Sequence, residues 1–155
     1  MEILTPDTEE AEQIADQWVA LAEGQRGYGS HLLAEPNRDA IRVSIVRHVV
    51  SDELLVARED NELLGFVMFT VESGKYEQDV TRGLIENLYV VPRRRNEGIG
   101  SELLEAAETE LAEAGAETIA LEVVADNEEA RRFYRRHGYD PHRVELERSL
   151  ESDTL

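Results

Sequence analysis

A chain of 155 residues with 16 basic and 34 acidic side chains carries a formal charge of −18 at neutral pH. A surface that negative is repelled by phosphate backbones, which excludes nucleic acid as a partner. Its 41% hydrophobic content supports one core and rules out a disordered chain. The absence of cysteine removes disulfides, zinc–thiolate sites and thiol nucleophiles.

The acidic start, MEILTPDTEE, is unlike a secretory leader, and no apolar run reaches the roughly 18 residues of a membrane span. The expectation is a cytoplasmic protein that does not act on membranes. One domain over 1–150, with a short polar tail at 151–155, accounts for the length. A strand at Glu2–Leu4 precedes a helix over 8–23, where Ala11, Ile14, Ala15, Trp18, Leu21 and Ala22 recur at helical steps. Glycines and a proline from Gly24 onward predict a loop, and 37–50 forms a second, less periodic helix. Leu54–Ala57 and Leu63–Val71 are apolar runs around Glu59-Asp60-Asn61, the pattern of a β-hairpin. Glu72–Thr81 loops out before a strand at Leu84–Val91, which Pro92 ends because proline has no amide for the ladder.

In the second half, Ile99, Leu103, Leu104, Ala107, Leu111 and Ala114 line a helix from Gly98 to Ala114, closed by Gly115. A strand follows at Thr118–Val124. Asp126 or Asn127 caps a helix running to about His137, with Gly138 at its end. A last strand is predicted over His142–Leu150. The fold class is therefore α/β with a mixed sheet: a right-handed β-α-β crossover over 84–124 makes one pair parallel, and the hairpin is antiparallel.

The chemistry concentrates where the 84–91 strand runs through Pro92 into RRRNEGIGS. A helix start exposes unpaired amides and partial positive charge, which suits an anion, and Arg93, Arg94 and Arg95 run against the acidity of the chain. A P-loop is excluded because no lysine is present. A dinucleotide fingerprint fails at its third glycine, where Leu103 stands. Arg95-Asn96-Glu97-Gly98-Ile99-Gly100 fits R-x-x-G-x-G. This segment, within ENLYVVPRRRNEGIGSELLEAAE (Glu86–Glu108), resembles the acyl-coenzyme A motif of the GNAT family of N-acetyltransferases. DNEEARRFYRRHGY (Asp126–Tyr139) resembles that family's second block through Asn127, Ala130, Tyr134, Gly138 and Tyr139.

The resemblance implies a GNAT-like sheet, mostly antiparallel and splayed between the strands at 84–91 and 118–124. It also implies acetyl-CoA as cosubstrate and acetyl transfer directly to a primary amine. Arg95, Asn96, Glu97, Gly98, Ile99, Gly100 and Ser101 are then expected to hold the pyrophosphate. The backbone of Leu88, Tyr89 and Val90 is expected to meet the pantetheine arm and polarise the thioester. Tyr134 corresponds to the general acid, although its spacing from Ala130 alone describes a core tyrosine. Glu86 is the candidate base, and Asn127 either bonds the pantetheine or caps its helix. Arginines 131, 132, 135 and 136 either complement a helix C-terminus or reach the coenzyme's 3′-phosphate. The acceptor is expected between Gly24–Glu35, with Tyr28, Ser30 and His31, and Glu72–Arg82, with Tyr76, Glu77 and Asp79. Homodimers are common in this family, but no interface is marked in the sequence.

No metal site is expected, because His31, His48, His137 and His142 lack ligand spacing. All basic residues except Lys75 are arginine. Carboxylate excess with scarce lysine resembles proteins of salt-accumulating halophiles, whose self-repulsion is screened where the Debye length falls to about 3 Å at 1 M salt. An acidic face for a cationic partner is the alternative. An acyl-CoA sensor of the same fold, without catalysis, is the rival function.

Overall fold

A computed structural model describes residues 1–151; residues 152–155, most of the predicted tail, lie outside the described residues. The chain runs β1 (Glu2–Leu4), α1 (Ala11–Arg26), α2 (Arg38–Val50), β2 (Leu54–Glu59), β3 (Glu62–Val71), β4 (Arg82–Val90), α3 (Ile99–Glu113), β5 (Thr118–Leu121) and α4 (Glu128–Arg136), with short 3₁₀ turns between some of them. The five strands form one sheet in the order β1-β2-β3-β4-β5. All neighbours are antiparallel except β4 and β5, which α3 joins as a parallel pair. No helix among the described residues is long and apolar enough to cross a membrane.

Alternation along β3 divides the core between the two faces of the sheet. Phe66 and Met68 pack with Ile14, Trp18, Ile45 and Tyr89 beneath α1 and α2. Val67 and Phe69 pack with Ile85, Leu103, Leu104 and Leu111 beneath α3. Phe133 and Tyr134 bring α4 onto this second cluster.

Three predicted elements differ from those observed. Strand β5 stops at Leu121, short of the predicted Val124, where its pairing with β4 ends. The first helix continues through Gly24 to Arg26. A mid-helix glycine costs only about 1 kcal/mol against alanine, and the Arg26 guanidinium ties the end down by donating to the carbonyls of Ser30, His31 and Leu32. The strand predicted over His142–Leu150 does not form, although the segment alternates Val144 and Leu146 with charged residues; no ladder partner lies beside it among the described residues. A strand requires main-chain pairing, and this segment is instead tied through Glu147, whose carboxylate meets His31 Nε2 at 2.9 Å.

Gly65 is the one position of the hairpin where a side chain has no room. A methyl group there would overlap the Tyr89 carbonyl oxygen and press on the Val90 Cα at 3.1 Å. Gly65→Ala is expected to destabilise the fold by about 1–3 kcal/mol through overpacking, read as a lower denaturant midpoint with an unchanged slope.

Candidate active site

The sheet opens at β4. Its pairing with β5 runs from Arg82↔Thr118 to Ile85↔Leu121 and stops, so residues 86–90 form an unpaired parallel edge. At the same point β4 bulges away from β3. Met68 pairs with Asn87 and Phe69 with Ile85, which leaves Glu86 as the extra residue. Beyond the bulge, the Val91 amide donates to Leu64 O on β3. Amides alternate along a strand, so those of Leu88 and Val90 face the open edge. In agreement, the Val90 carbonyl accepts from Arg95 Nε at 2.9 Å. The Tyr89 peptide faces β3, and its side chain lies in the α1/α2 core with the Arg95 guanidinium 5.4 Å from the ring centre.

The loop that follows supplies the anion cradle. Asn96 (φ 65°) and Gly98 (φ 88°) are both left-handed, an alternation that turns successive amides inward as a concave nest. The Arg95 amide is spent on a turn to Pro92 O at 3.3 Å, and the first helical bond from this end is Glu102 N to Gly98 O at 3.1 Å. The six amides between them, Asn96 to Ser101, meet no protein acceptor among the described residues. They sit at the positive end of α3.

The arginines before the loop have other duties than the sequence alone indicates. Arg94 bonds Glu59 at 2.7 Å and Glu97 at 3.0 Å, and Arg93 pairs with Glu62. Both are therefore neutralised by the β2–β3 hairpin and pin the loop to it. The cradle works through backbone amides, with Glu97 turned to Arg94 and Ile99 buried in the α3 core.

α4 closes the other side of the opening. The Asn127 side chain accepts from Ala130 N at 3.1 Å, so it caps this helix. Phe133 stands 3.5 Å from the point where a Gly100 Cβ would lie, and Val90 stands 3.7 Å from it. His137 Nε2 meets Ser101 Oγ at 2.9 Å, fastening the end of α4 to the start of α3. Tyr134 lies between Phe133 and Tyr139 in edge contact, at 5.1 and 5.8 Å. Burial pushes its phenol up to about 12. Its hydroxyl has no hydrogen-bond partner among the described residues, whereas that of Tyr139 is bound to Glu108 at 2.7 Å.

On the opposite face, Glu86 does not stand alone. His48, from the last turn of α2, places Nε2 at 2.7 Å from Glu86 Oε1, while its Nδ1 meets the Ser44 carbonyl at 2.7 Å. The Glu86 bond is the main cause of a histidine held above its ordinary value of 6.5, against the opposing effect of burial. Nothing in the spacing of the sequence marks this pair, whose members lie 38 residues apart.

The C-terminal segment touches the first of the two loops predicted to meet the acceptor and adds charge near the second. Glu72, bonded by Arg82 at 2.8 and 2.9 Å and by Gln78 at 2.6 Å, has its carboxyl lowered to about 2, with Arg143 adding to the effect. His31 meets Glu147. Tyr28, Tyr76, Glu77 and Asp79 are exposed, and the Ser30 hydroxyl accepts from Leu32 N at 3.2 Å.

An open, mixed five-stranded sheet flanked by helices is shared with solved acetyltransferases. A GCN5-related N-acetyltransferase from Ralstonia eutropha is 25% identical with a TM-score of 0.75, covering 96% of this chain and 97% of that one. An aminoglycoside N-acetyltransferase solved with CoA shares the fold at 16% identity and TM-score 0.69, covering 96% of this chain and 94% of that one. The acetyltransferase (GNAT) family profile matches residues 33–139, and the chain belongs to this family. A curated relative, mycothiol acetyltransferase of Clavibacter sepedonicus, is 34% identical over 140 residues, 86% of this chain and 42% of the relative. An uncharacterized N-acetyltransferase of Bacillus subtilis, YhfO, is 32% identical over 89 residues, 56% of this chain and 58% of its own length. The chain thus spans about half the length of these two relatives.

Proposed function

We propose that the protein transfers an acetyl group from acetyl-CoA to a primary amine, in a salt-rich cytoplasm. The observation that carries this reading is the continuity of the six free amides of Asn96–Ser101 with the open edge of β4. A diphosphate fits the first, and an extended amide-bearing arm fits the second. Acetyl-CoA supplies the activated acyl group. The amide of Leu88 or Val90, facing the gap, donates to the thioester oxygen as negative charge develops there. Tyr134, with an unengaged phenol, donates a proton to the departing sulfur. Arg132, Arg135 and Arg136, exposed and without an ion-pair partner among the described residues, are left to meet the 3′-phosphate. The acceptor enters from the α1/α2 side, where Glu86 lies.

The test is thermal unfolding in about 2 M KCl, which screens the acidic surface, with and without acetyl-CoA. A ligand at 100 times its dissociation constant stabilises by about 2.7 kcal/mol, a rise of several degrees for a domain of this size. Coenzyme A release is then followed with a thiol reagent across a panel of primary amines, free of protein background because the chain has no cysteine. Loss of the fold at low salt, with recovery in KCl, is the expected mark of the halophilic surface. A folded protein whose unfolding temperature does not respond to acetyl-CoA would refute the reading, and binding without release with any amine would make the protein a sensor.

A further inference from the structure

We infer that His48 is a positioning residue for the acceptor's proton. Its imidazole, tied through Nδ1 to the Ser44 carbonyl, faces one oxygen of the Glu86 carboxylate, so that the pair, once it has lost the proton it shares, is driven to take the proton of the incoming ammonium at the other oxygen. The inference rests on the acetyl-transfer reading and adds to it a residue on a different element.

The argument starts from what each nitrogen faces. A backbone carbonyl only accepts, so the 2.7 Å contact with Ser44 O requires a hydrogen on Nδ1. Nε2 therefore either carries a second hydrogen or turns a lone pair toward Glu86 Oε1 at 2.7 Å. Two lone pairs at that separation repel, so one proton is held between nitrogen and carboxylate. The imidazole is fixed from behind and has its side chain 14% exposed, against 37% for Glu86. Glu86 Oε2 has no protein partner among the described residues and sits where β4 both bulges from β3 and parts from β5.

An amine reaches the site as an ammonium ion and attacks only after losing a proton. With the shared proton present, the pair is neutral, and accepting another would leave a net positive charge in a half-buried place. With it removed, the pair carries one negative charge. The N–H bond of the ammonium then breaks, an O–H bond forms at Oε2, and the electron pair stays on nitrogen for attack on the thioester. The proton distributes over the pair and leaves to water.

Other charges near His48 favour retention of the shared proton up to higher pH. Glu53, at the turn after α2 and bonded by Thr70 Oγ1 from β3 at 2.8 Å, adds negative potential. The Ser44 hydroxyl lies 3.4 Å from Nδ1. The charges that α1 presents to α2 are paired elsewhere, Glu12 with Arg42 and Asp16 with Arg38, about 9 Å or more along the helix at its 1.5 Å rise per residue. His48 also stands in the last turn of its helix, where the dipole favours the cation. The base-competent form therefore appears as pH rises through the raised value of His48, and the acidic limb of the rate profile follows the proton that the two side chains share.

Two readouts test this on the whole chain. The first is titration of the histidine rings by 1H–15N NMR without ligand. His48 is expected to titrate above 6.5 with Nδ1 protonated throughout, and Glu86→Gln is expected to lower its midpoint by about one pH unit or more. A midpoint that Glu86→Gln leaves in place overturns the pair. The second is kcat against pH for coenzyme A release with ethylamine as the probe acceptor. His48→Gln is expected to shift the acidic limb to lower pH and reduce the plateau about tenfold, with the KM for acetyl-CoA unchanged. A role in packing alone would lower the plateau and leave the limb where it was. Superimposed profiles, or a lower plateau with an unmoved limb, overturn the inference. Absence of acetyl-CoA binding in both proteins would instead remove the acetyl-transfer reading, and the catalytic role of the pair with it, leaving the NMR result as a property of the fold.

Discussion

Gly100→Glu is expected to abolish acetyl-CoA binding while leaving the fold intact. A Cβ at this position meets Phe133 and Val90 at 3.5 and 3.7 Å, ordinary contact distances, so the first carbon of the new side chain is tolerated. Gly100 is the second residue of α3 and is not among the positive-φ glycines. Glutamate there has better helix propensity than glycine, and its charge is favourable to the helix start. The same two neighbours belong to α4 and β4, and Gly100 itself is one of the six residues whose amides are free, so the new side chain is expected beside the open edge. The carboxylate competes for those amides and repels a diphosphate, and its methylenes occupy the gap. Affinity is expected to fall at least about 100-fold, or about 2.7 kcal/mol, read by calorimetry, with an unfolding temperature equal to or above that of the parent. Gly100→Ala serves as the partial case, and affinity is expected to fall in the order Gly, Ala, Glu. Undiminished binding by Gly100→Glu would remove the loop from the site.

The helices, the strands and the glycine loop were legible because each is written in residues close together in the chain. Every apolar position predicted for α3 except Ala114 is buried, and Gly115 and Gly138 take the left-handed conformation expected at their helix ends. What the chain order conceals is pairing across distance. Arg93 and Arg94 looked like ligands for a polyanion because Glu59 and Glu62, their actual partners, lie some thirty residues earlier on the hairpin tip. The bulge that isolates Glu86 is a register shift between β3 and β4 and has no composition of its own. His48 read as one of four unrelated histidines, because its role depends on the end of α2 passing over that bulge. The last strand failed for the converse reason: alternation in 142–150 is a local signal, but a strand exists only where a neighbour offers its backbone.

Tyr134→Phe carries the second large effect. Phenylalanine keeps the ring between Phe133 and Tyr139, so packing on the α3 face and acetyl-CoA affinity should both remain. What is lost is one hydroxyl that bonds to no protein group among the described residues, so the change leaves no broken hydrogen bond inside the fold. A structural role predicts near-neutral stability and unchanged turnover; the role of acid predicts near-neutral stability and a kcat lower by about 10²–10⁴-fold. With the phenol pushed up to about 12 by burial, it stays protonated throughout the usual assay range. On the proposed acetyl-transfer activity, the parent protein should therefore show no alkaline decline attributable to this acid below about pH 11, and its rate profile should be shaped by the amine and the His48–Glu86 pair. If the sulfur leaves as a thiolate in the variant, acceptors of differing basicity should be slowed by similar factors, because the missing proton concerns the leaving group and not the nucleophile. Turnover equal to the parent's would assign Tyr134 to the core alone.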